Sequence, residues 1–194
     1  MRNAAYAIRH DVGNQEEMTD LIDRNIVAAD NILKNLVDFA TLPPLRFKEE
    51  TINYLLQETL AQTVFPWNVK ATTQYGTIPL VEVDSTQLSR VFTNLVFNAL
   101  QAMPKGGEFT VSTSKTKDYI EIKIKDTGIG IPQDNMKKMF TPFFTTKSKG
   151  TGLGLINAKR VVEAHRGTID IESQEGKFTV VSIQLPIKQP VSEK

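Results

Sequence analysis

Three amides, Asn94, Asn98 and Gln101, recur at steps of four and three along one ridge of a helical pattern, beside a core-facing row of Leu88, Val91, Leu95 and Ala102. An amide bordering the interior needs a hydrogen-bond partner or a cation, because leaving it unpaired costs about 1–3 kcal/mol. Structural amides tying helix to loop and amides that hold a ligand fit this spacing equally. A second group ends a strand pattern. In Tyr119 to Asp126, Ile120, Ile122 and Ile124 alternate with Glu121, Lys123 and Lys125, so Asp126 has the parity of the buried face. A carboxylate there is costly without a donor, and an exocyclic amine would serve. Gly128 and Gly130 of DTGIGIP permit close backbone approach and a tight turn, which a simple hairpin-like turn also needs.

Phosphate chemistry is suggested by GTGLGL, where Gly150, Thr151, Gly152, Leu153, Gly154 and Leu155 lead into a helix. Freed backbone N–H groups and a helix N-terminus together favour an anion. The segment is neither a Walker loop, since no G-K-S/T follows, nor a dinucleotide turn, since a loop rather than a strand precedes it. Lys147 and Lys149 add positive charge just upstream, where a solvated loop is the plain alternative. Phe140, Phe143 and Phe144 in FTPFFTTKSKG are apolar anchors for a basic, lid-like stretch running from Thr141 to Gly150.

The elements that must position these groups follow from periodicity. Helices are predicted over Glu49 to Thr63, from an Asp84/Gln87 capping box to Met103, over Gln133 to Met139 and over Leu153 to His165. Strands are predicted at Val69 to Gln74, Leu80 to Val83, Glu108 to Ser114, Tyr119 to Asp126, Thr168 to Ser173 and Phe178 to Leu185. Helices over a mixed, largely antiparallel sheet make an α+β two-layer sandwich. Ahead of it, Glu16 to Ala40 lacks Gly and Pro and carries a wide apolar stripe that includes Ile22, Ile26, Leu33 and Leu36. Such a helix wants several neighbours, as in a four-helix bundle. Asn3 to Val12 reads as a shorter helical arm joined by a Gly13-Asn14 turn, and Leu42-Pro43-Pro44 ends the hairpin. The expected units are 1–42, 43–188 and a frayed polar tail, 189–194.

Composition removes whole classes of chemistry. There is no cysteine and there are only two histidines, His10 and His165, which excludes disulfide frameworks, thiol catalysis and nearly all zinc or haem sites. Twenty-three basic against 22 acidic residues leave a formal charge of +1, so no global field argues for nucleic acid or an anionic membrane. No apolar run is long enough to span a bilayer, and the reading is cytoplasmic, any membrane anchor of a longer parent lying outside this stretch.

Taken in order, NLVFNALQAM, DTGIGIP, FTPFFTTKSKG and GTGLGL resemble the N, G1, F and G2 boxes of the histidine kinase ATP-binding domain. That domain shares the GHKL (Bergerat) fold with DNA gyrase, MutL and the ninety-kilodalton heat-shock chaperones. The F box is typical of the kinases. The resemblance implies ATP with Mg²⁺ on Asn98, and Asn94 near the phosphates. It implies that Asp126 accepts from the adenine amino group and that Thr179 helps to position adenine. Gly128 and Gly130 shape the adenine side, Gly150, Gly152 and Gly154 the phosphate side, with Lys147 and Thr151 touching the phosphates when the lid closes. Gln101 and Ala102 stand where many kinases carry a basic residue and an aromatic, and Phe178 stands where Gly usually precedes the threonine.

The N-terminal hairpin resembles the dimerisation and phosphotransfer hairpin of the same kinases, which implies a homodimer and a response regulator receiver domain as partners. HDVGN, His10 to Asn14, matches the phosphoacceptor pattern H-[D/E]-x-x-N. However, His10 sits beside the turn, and RNAAYAI resembles the stretch that follows the phosphoacceptor box, so the acceptor histidine is expected upstream of Met1. His10 and His165 then read as helix-end residues favourable to the helix dipole. The rival readings are a GHKL-type serine kinase, a non-catalytic nucleotide-sensing module, and a domain whose glycine loops are only turns.

Overall fold

The computed structural model describes residues 18–20, 22–23, 26, 33, 36–37, 41, 43–147 and 150–188. The chain divides into two compact units, Met1–Leu42 and Pro43–Lys194. In the first, the described residues between 18 and 37 are helical, and Ile26, Leu33, Leu36 and Val37 are exposed. The predicted arm Asn3 to Val12, its turn and His10 lie outside the described residues.

The second unit is built from β1 (Lys48–Glu50), α1 (Ile52–Ala61), β2 (Val69–Tyr75), β3 (Val81–Val83), α2 (Ser85–Ala102), β4 (Gly107–Lys115), β5 (Tyr119–Asp126), α3 (Gln133–Met136), α4 (Gly154–Ala164), β6 (Thr168–Gln174) and β7 (Phe178–Pro186). Five strands form one sheet in the order β2-β4-β5-β7-β6, parallel between β2 and β4 and antiparallel elsewhere. One face of this sheet meets the helices: α2 packs on β5 and against both α1 and α4. The alternation in β5 buries Ile120, Ile122 and Ile124 there, opposite Phe92, Leu95 and Leu88 of α2, in the core. Each such side chain contributes about 1.5–3 kcal/mol through burial. The other face carries polar residues, among them Thr110, Ser112, Lys123, Ser182 and Gln184. This is the α+β two-layer sandwich expected from the change of period along the chain.

Two local expectations are corrected. The helix predicted from Glu49 begins at Ile52, because Lys48–Glu50 pairs antiparallel with β3 in a separate two-stranded sheet. Consequently β2 and β3 do not pair with each other; β2 crosses over to lie parallel to β4. The capping box at the start of α2 is only half formed. Asp84 accepts from the Gln87 N–H at 3.0 Å, but the Asp84 N–H donates to His165 Nε2 at 2.9 Å rather than to the glutamine side chain. His165 therefore is no charged, exposed helix-end residue. It is 0% exposed, holds Val161 O at 2.7 Å through Nδ1, and meets the Phe47 ring edge-on at 5.3 Å. With Nε2 accepting, the ring is neutral, and burial pushes its pKa down.

Candidate nucleotide site between the second helix and the sheet

Antiparallel pairing places Phe109, Asp126, Thr179 and Ser173 in one row across β4, β5, β7 and β6, each directly opposite the next. Directly paired residues share a face, so the row lies on the helix side of the sheet. Asp126 is only 4% exposed. Its Oδ1 accepts from the Gly128 N–H at 2.9 Å, and no other described residue donates to it. Burial raises its pKa from 3.8 to about 6, against the opposing pull of that N–H and of the Lys147 charge. Thr179, the neighbour on β7, is buried and bonded to Ser173.

The glycines after Asp126 are explained by close approach. A Cβ on Gly128 would lie 2.3 Å from Ala102 O, and one on Gly130, whose φ is +64°, would lie 2.2 Å from Gln174 O. Hydrogen bonds hold the turn from both sides: Ile129 N–H donates to Ala102 O at 2.9 Å, and Gly176 N–H donates to Ile129 O at 2.7 Å. The floor beside Asp126 is thus locked between the end of α2 and the β6–β7 turn.

On α2, Asn94 and Asn98 are half-buried, as their position beside the core row predicts. Asn94 Nδ2 is buried with no hydrogen-bond partner among the described residues. The first residue of α4 presses on this side chain, since a Cβ on Gly154 would lie 2.3 Å from Asn94 Oδ1. The helix α4 opens at Leu153 without a side-chain cap, while Thr151 Oγ1 accepts from the Leu153 N–H at 3.3 Å. Leu153 is buried and Leu155 half-buried. An uncapped helix start facing an unpaired amide donor is a place where an anion is stabilised.

Lys147 reaches α2 from the basic loop. Its Nζ donates to Asn98 Oδ1 and to Gln101 Oε1, both at 2.7 Å. Burial lowers its pKa, and the Asp126 carboxylate opposes this. The loop ahead of α4 is fastened by Phe143 and Gly152. The Phe143 N–H donates to Gly152 O at 3.1 Å, Gly152 has φ +67°, and Phe143 itself takes φ +64°, a strained conformation for an aromatic residue. Gly150 lies against Thr145 and donates its N–H to Lys147 O at 3.1 Å.

The structure therefore gathers Asn98 with Lys147, Asn94 with Gly154, and Asp126 with Gly128 and Thr179; His10 lies outside the described residues. Two residues were not assigned to the site from sequence. Gln101 was visible on the amide ridge but carried no role. Ser173 had no local signal, because a lone serine at a strand end looks like any other. Among the described residues no cluster of three His, Cys, Asp or Glu could hold a metal by itself, and no helix is long and apolar enough to cross a membrane.

Residues 83–189 match the family model described as histidine kinase-, DNA gyrase B-, and HSP90-like ATPase. Sporulation kinase C of Bacillus subtilis (strain 168) is 35% identical over 184 residues, an alignment taking in 90% of this chain and 42% of that protein. The chain thus spans less than half the length of this relative. Among solved structures, the nucleotide-free catalytic domain of the histidine kinase ThkA is similar, with TM-score 0.66 and 28% identity over 74% of this chain and 97% of that one. ThkA in complex with the response regulator protein TrrA matches in fold, with TM-score 0.78 and 22% identity over 97% of this chain and 57% of that one. The chain belongs to the family of histidine kinase-, DNA gyrase B- and HSP90-like ATPases, and carries an ATP-binding catalytic domain of the histidine kinase type.

Proposed function

We propose that this chain binds Mg-ATP, and that the protein to which it belongs passes the γ-phosphoryl group to a histidine and then to an aspartate on a response regulator. The observation that carries the reading is Asp126, a buried carboxylate with one oxygen held by Gly128 and Thr179 directly opposite. An acceptor so placed suits the adenine amino group. The Asn98 carboxamide suits Mg²⁺, since its Oδ1 already accepts an ammonium from Lys147 and since this ion keeps several waters beside few protein oxygens. Bound there, the ion would supply charge neutralisation on the phosphates. Asn94 Nδ2 and the open start of α4 offer donors to phosphate oxygens, and Lys147 offers a positive charge beside Asn98. These residues work by holding and neutralising, not by covalent chemistry on the nucleotide.

His165 is excluded as phosphoacceptor, because both ring nitrogens are engaged and the ring is buried. This supports an acceptor outside the 43–194 unit, in the helical hairpin that the resemblance to the kinases implies. The exposed Ile26, Leu33, Leu36 and Val37 fit a second copy of that hairpin, and a homodimer on the cytoplasmic side, facing a receiver domain, is the assembly we infer.

Calorimetry with Mg-ATP tests the site. Affinity is expected to fall about tenfold or more in Asp126→Asn and in Asn98→Ala, and unchanged binding in both rejects the assignment. Phosphotransfer is tested by incubating labelled ATP with the chain and with a version extended upstream. Acid-labile label on a histidine is expected, and its loss from the chain in His10→Ala would make His10 the acceptor. Acid-stable label on a partner's serine would instead support a serine kinase.

A further inference from the structure

Ser173 stands at the end of the transverse row, directly opposite Thr179. Its hydroxyl makes three contacts. It donates to Phe178 O at 2.7 Å, it accepts from the Ile131 N–H at 2.9 Å, and it lies 3.0 Å from Thr179 Oγ1. A serine has one proton and two lone pairs. A carbonyl cannot donate, so the serine proton belongs to Phe178 O, and in the pair with Thr179 the threonine must be the donor. Thr179 has thereby committed its only hydroxyl proton to Ser173. Toward Asp126, and toward whatever lies against this row, Thr179 can only accept. The same serine oxygen fastens the Gly130–Ile131 end of the turn that floors the site.

We propose that Ser173 is a positioning residue of the purine site: it orients the Thr179 hydroxyl so that its lone pairs face the base and holds the Ile131 backbone beside it. The proposal rests on the nucleotide reading above and deepens it. With Ser173 in place, the Asp126 carboxylate and the Thr179 oxygen form a pair of acceptors matched to the two hydrogens of a 6-amino group, taken directly or through water. Without it, the Thr179 hydroxyl is free to rotate, and its lone pairs are no longer held toward the base.

The test compares ADP with purine riboside 5′-diphosphate, which lacks the 6-amino group, in the wild-type chain and in Ser173→Ala, by calorimetry. This is a double cycle between a side chain and a ligand group. Ser173→Ala is expected to weaken ADP about two- to tenfold, the worth of one net hydrogen bond, and to leave the deamino nucleotide nearly unchanged, while Ser173→Thr restores ADP. Equal weakening of both nucleotides would reduce Ser173 to a fold-stabilising role, and no weakening of ADP would remove the role altogether; either overturns the proposal. If Ser173→Ala loses its circular dichroism signature, Ser173→Cys, which keeps the volume but weakens the acceptor, carries the same comparison. Failure of the wild-type chain to bind ADP overturns the nucleotide reading itself, whereas wild-type binding without a selective loss overturns only the part given to Ser173.

Discussion

Lys147 Nζ donates to Asn98 Oδ1 at 2.7 Å, and so a lysine of the basic loop sits on the amide proposed to carry the metal ion. The contact also takes in Gln101, and it draws Lys147 close enough to Asp126 for each charge to be felt by the other. Positive charge thus covers this carboxamide, where the proposed nucleotide would place its phosphates.

From this contact follows a prediction about the triphosphate. Lys147→Ala is expected to weaken ATP about three- to tenfold, the usual worth of a charge-assisted contact at a partly open site. AMP, which carries a single phosphate, is expected to lose far less. Calorimetry with both nucleotides checks this, and equal losses would show that Lys147 acts on the fold rather than on the terminal phosphates.

At Asp126 stability and the proposed nucleotide binding are opposed. Its folded pKa of about 6 lies above the ordinary 3.8, so the stabilisation it brings is fully present below 3.8 and is lost as pH rises through about 6. At pH 8 the native state carries a buried carboxylate that costs roughly 1–3 kcal/mol. Asp126→Asn keeps the oxygen that Gly128 needs and removes the charge. The variant is therefore expected to be more stable than wild type at pH 8 and nearly equal at pH 4, although it binds nucleotide worse. Urea unfolding at the two pH values decides it, and a destabilised variant at pH 8 would contradict the burial argument.

The His165 ring gives a slope of the opposite sign. Its folded pKa is depressed, so its contribution is present above 6.5 and lost as pH falls through the folded pKa. Protonation would turn the Nε2 acceptor into a donor facing the Asp84 N–H, breaking the link between the end of α4 and the start of α2. Two groups oppose this by favouring the charged ring: the Val161 carbonyl bonded to Nδ1 and, to a lesser degree, the Asp84 carboxylate, which is itself engaged by the Arg46 and Gln87 N–H groups. His165→Ala, which leaves the Asp84 N–H unpaired and opens a cavity, is expected to cost about 2–4 kcal/mol at pH 7.5. It should also flatten the loss of stability below pH 6.5, as read by circular dichroism in urea. A variant whose acid slope matched wild type would clear His165 of that role.

Gly130 and Gly176 offer a controlled comparison, because both have positive φ, +64° and +75°. A Cβ at Gly176 meets nothing within 4 Å, whereas one at Gly130 falls 2.2 Å from Gln174 O. Gly176→Ala is expected to cost about 1 kcal/mol for the left-handed backbone alone. Gly130→Ala bears the same cost plus a backbone clash, and should lose about 3 kcal/mol or more, together with nucleotide affinity. Thermal unfolding of the two variants measures the difference; similar losses would refute the close approach as the reason for glycine at 130.

Much of the site could be read locally. The strict alternation of Tyr119 to Asp126 placed the carboxylate on the buried side, and the steps of four and three put Asn94 and Asn98 on a common ridge. The glycine pairs marked where backbones come close. Other features had no local signature. Glu49 and Glu50 read as the start of a helix until β3, distant in sequence, pairs with them. The Asp84 N–H finds His165 rather than Gln87, 81 residues away instead of three. Ser173 matters only because β6 lies beside β7 in a register that sets it opposite Thr179.

The chain by itself determined its periods, its glycine positions and the residue types of the candidate site, since these depend on contacts a few residues apart and on backbone geometry. Only the tertiary structure decided which strand lies next to which, and hence that Phe109, Asp126, Thr179 and Ser173 form one row and that Lys147 rests on Asn98. The physical reason is that strand order and loop placement are settled by the joint burial of surfaces far apart in sequence. A hydroxyl or an amide has no preferred partner until that burial brings one within hydrogen-bond reach.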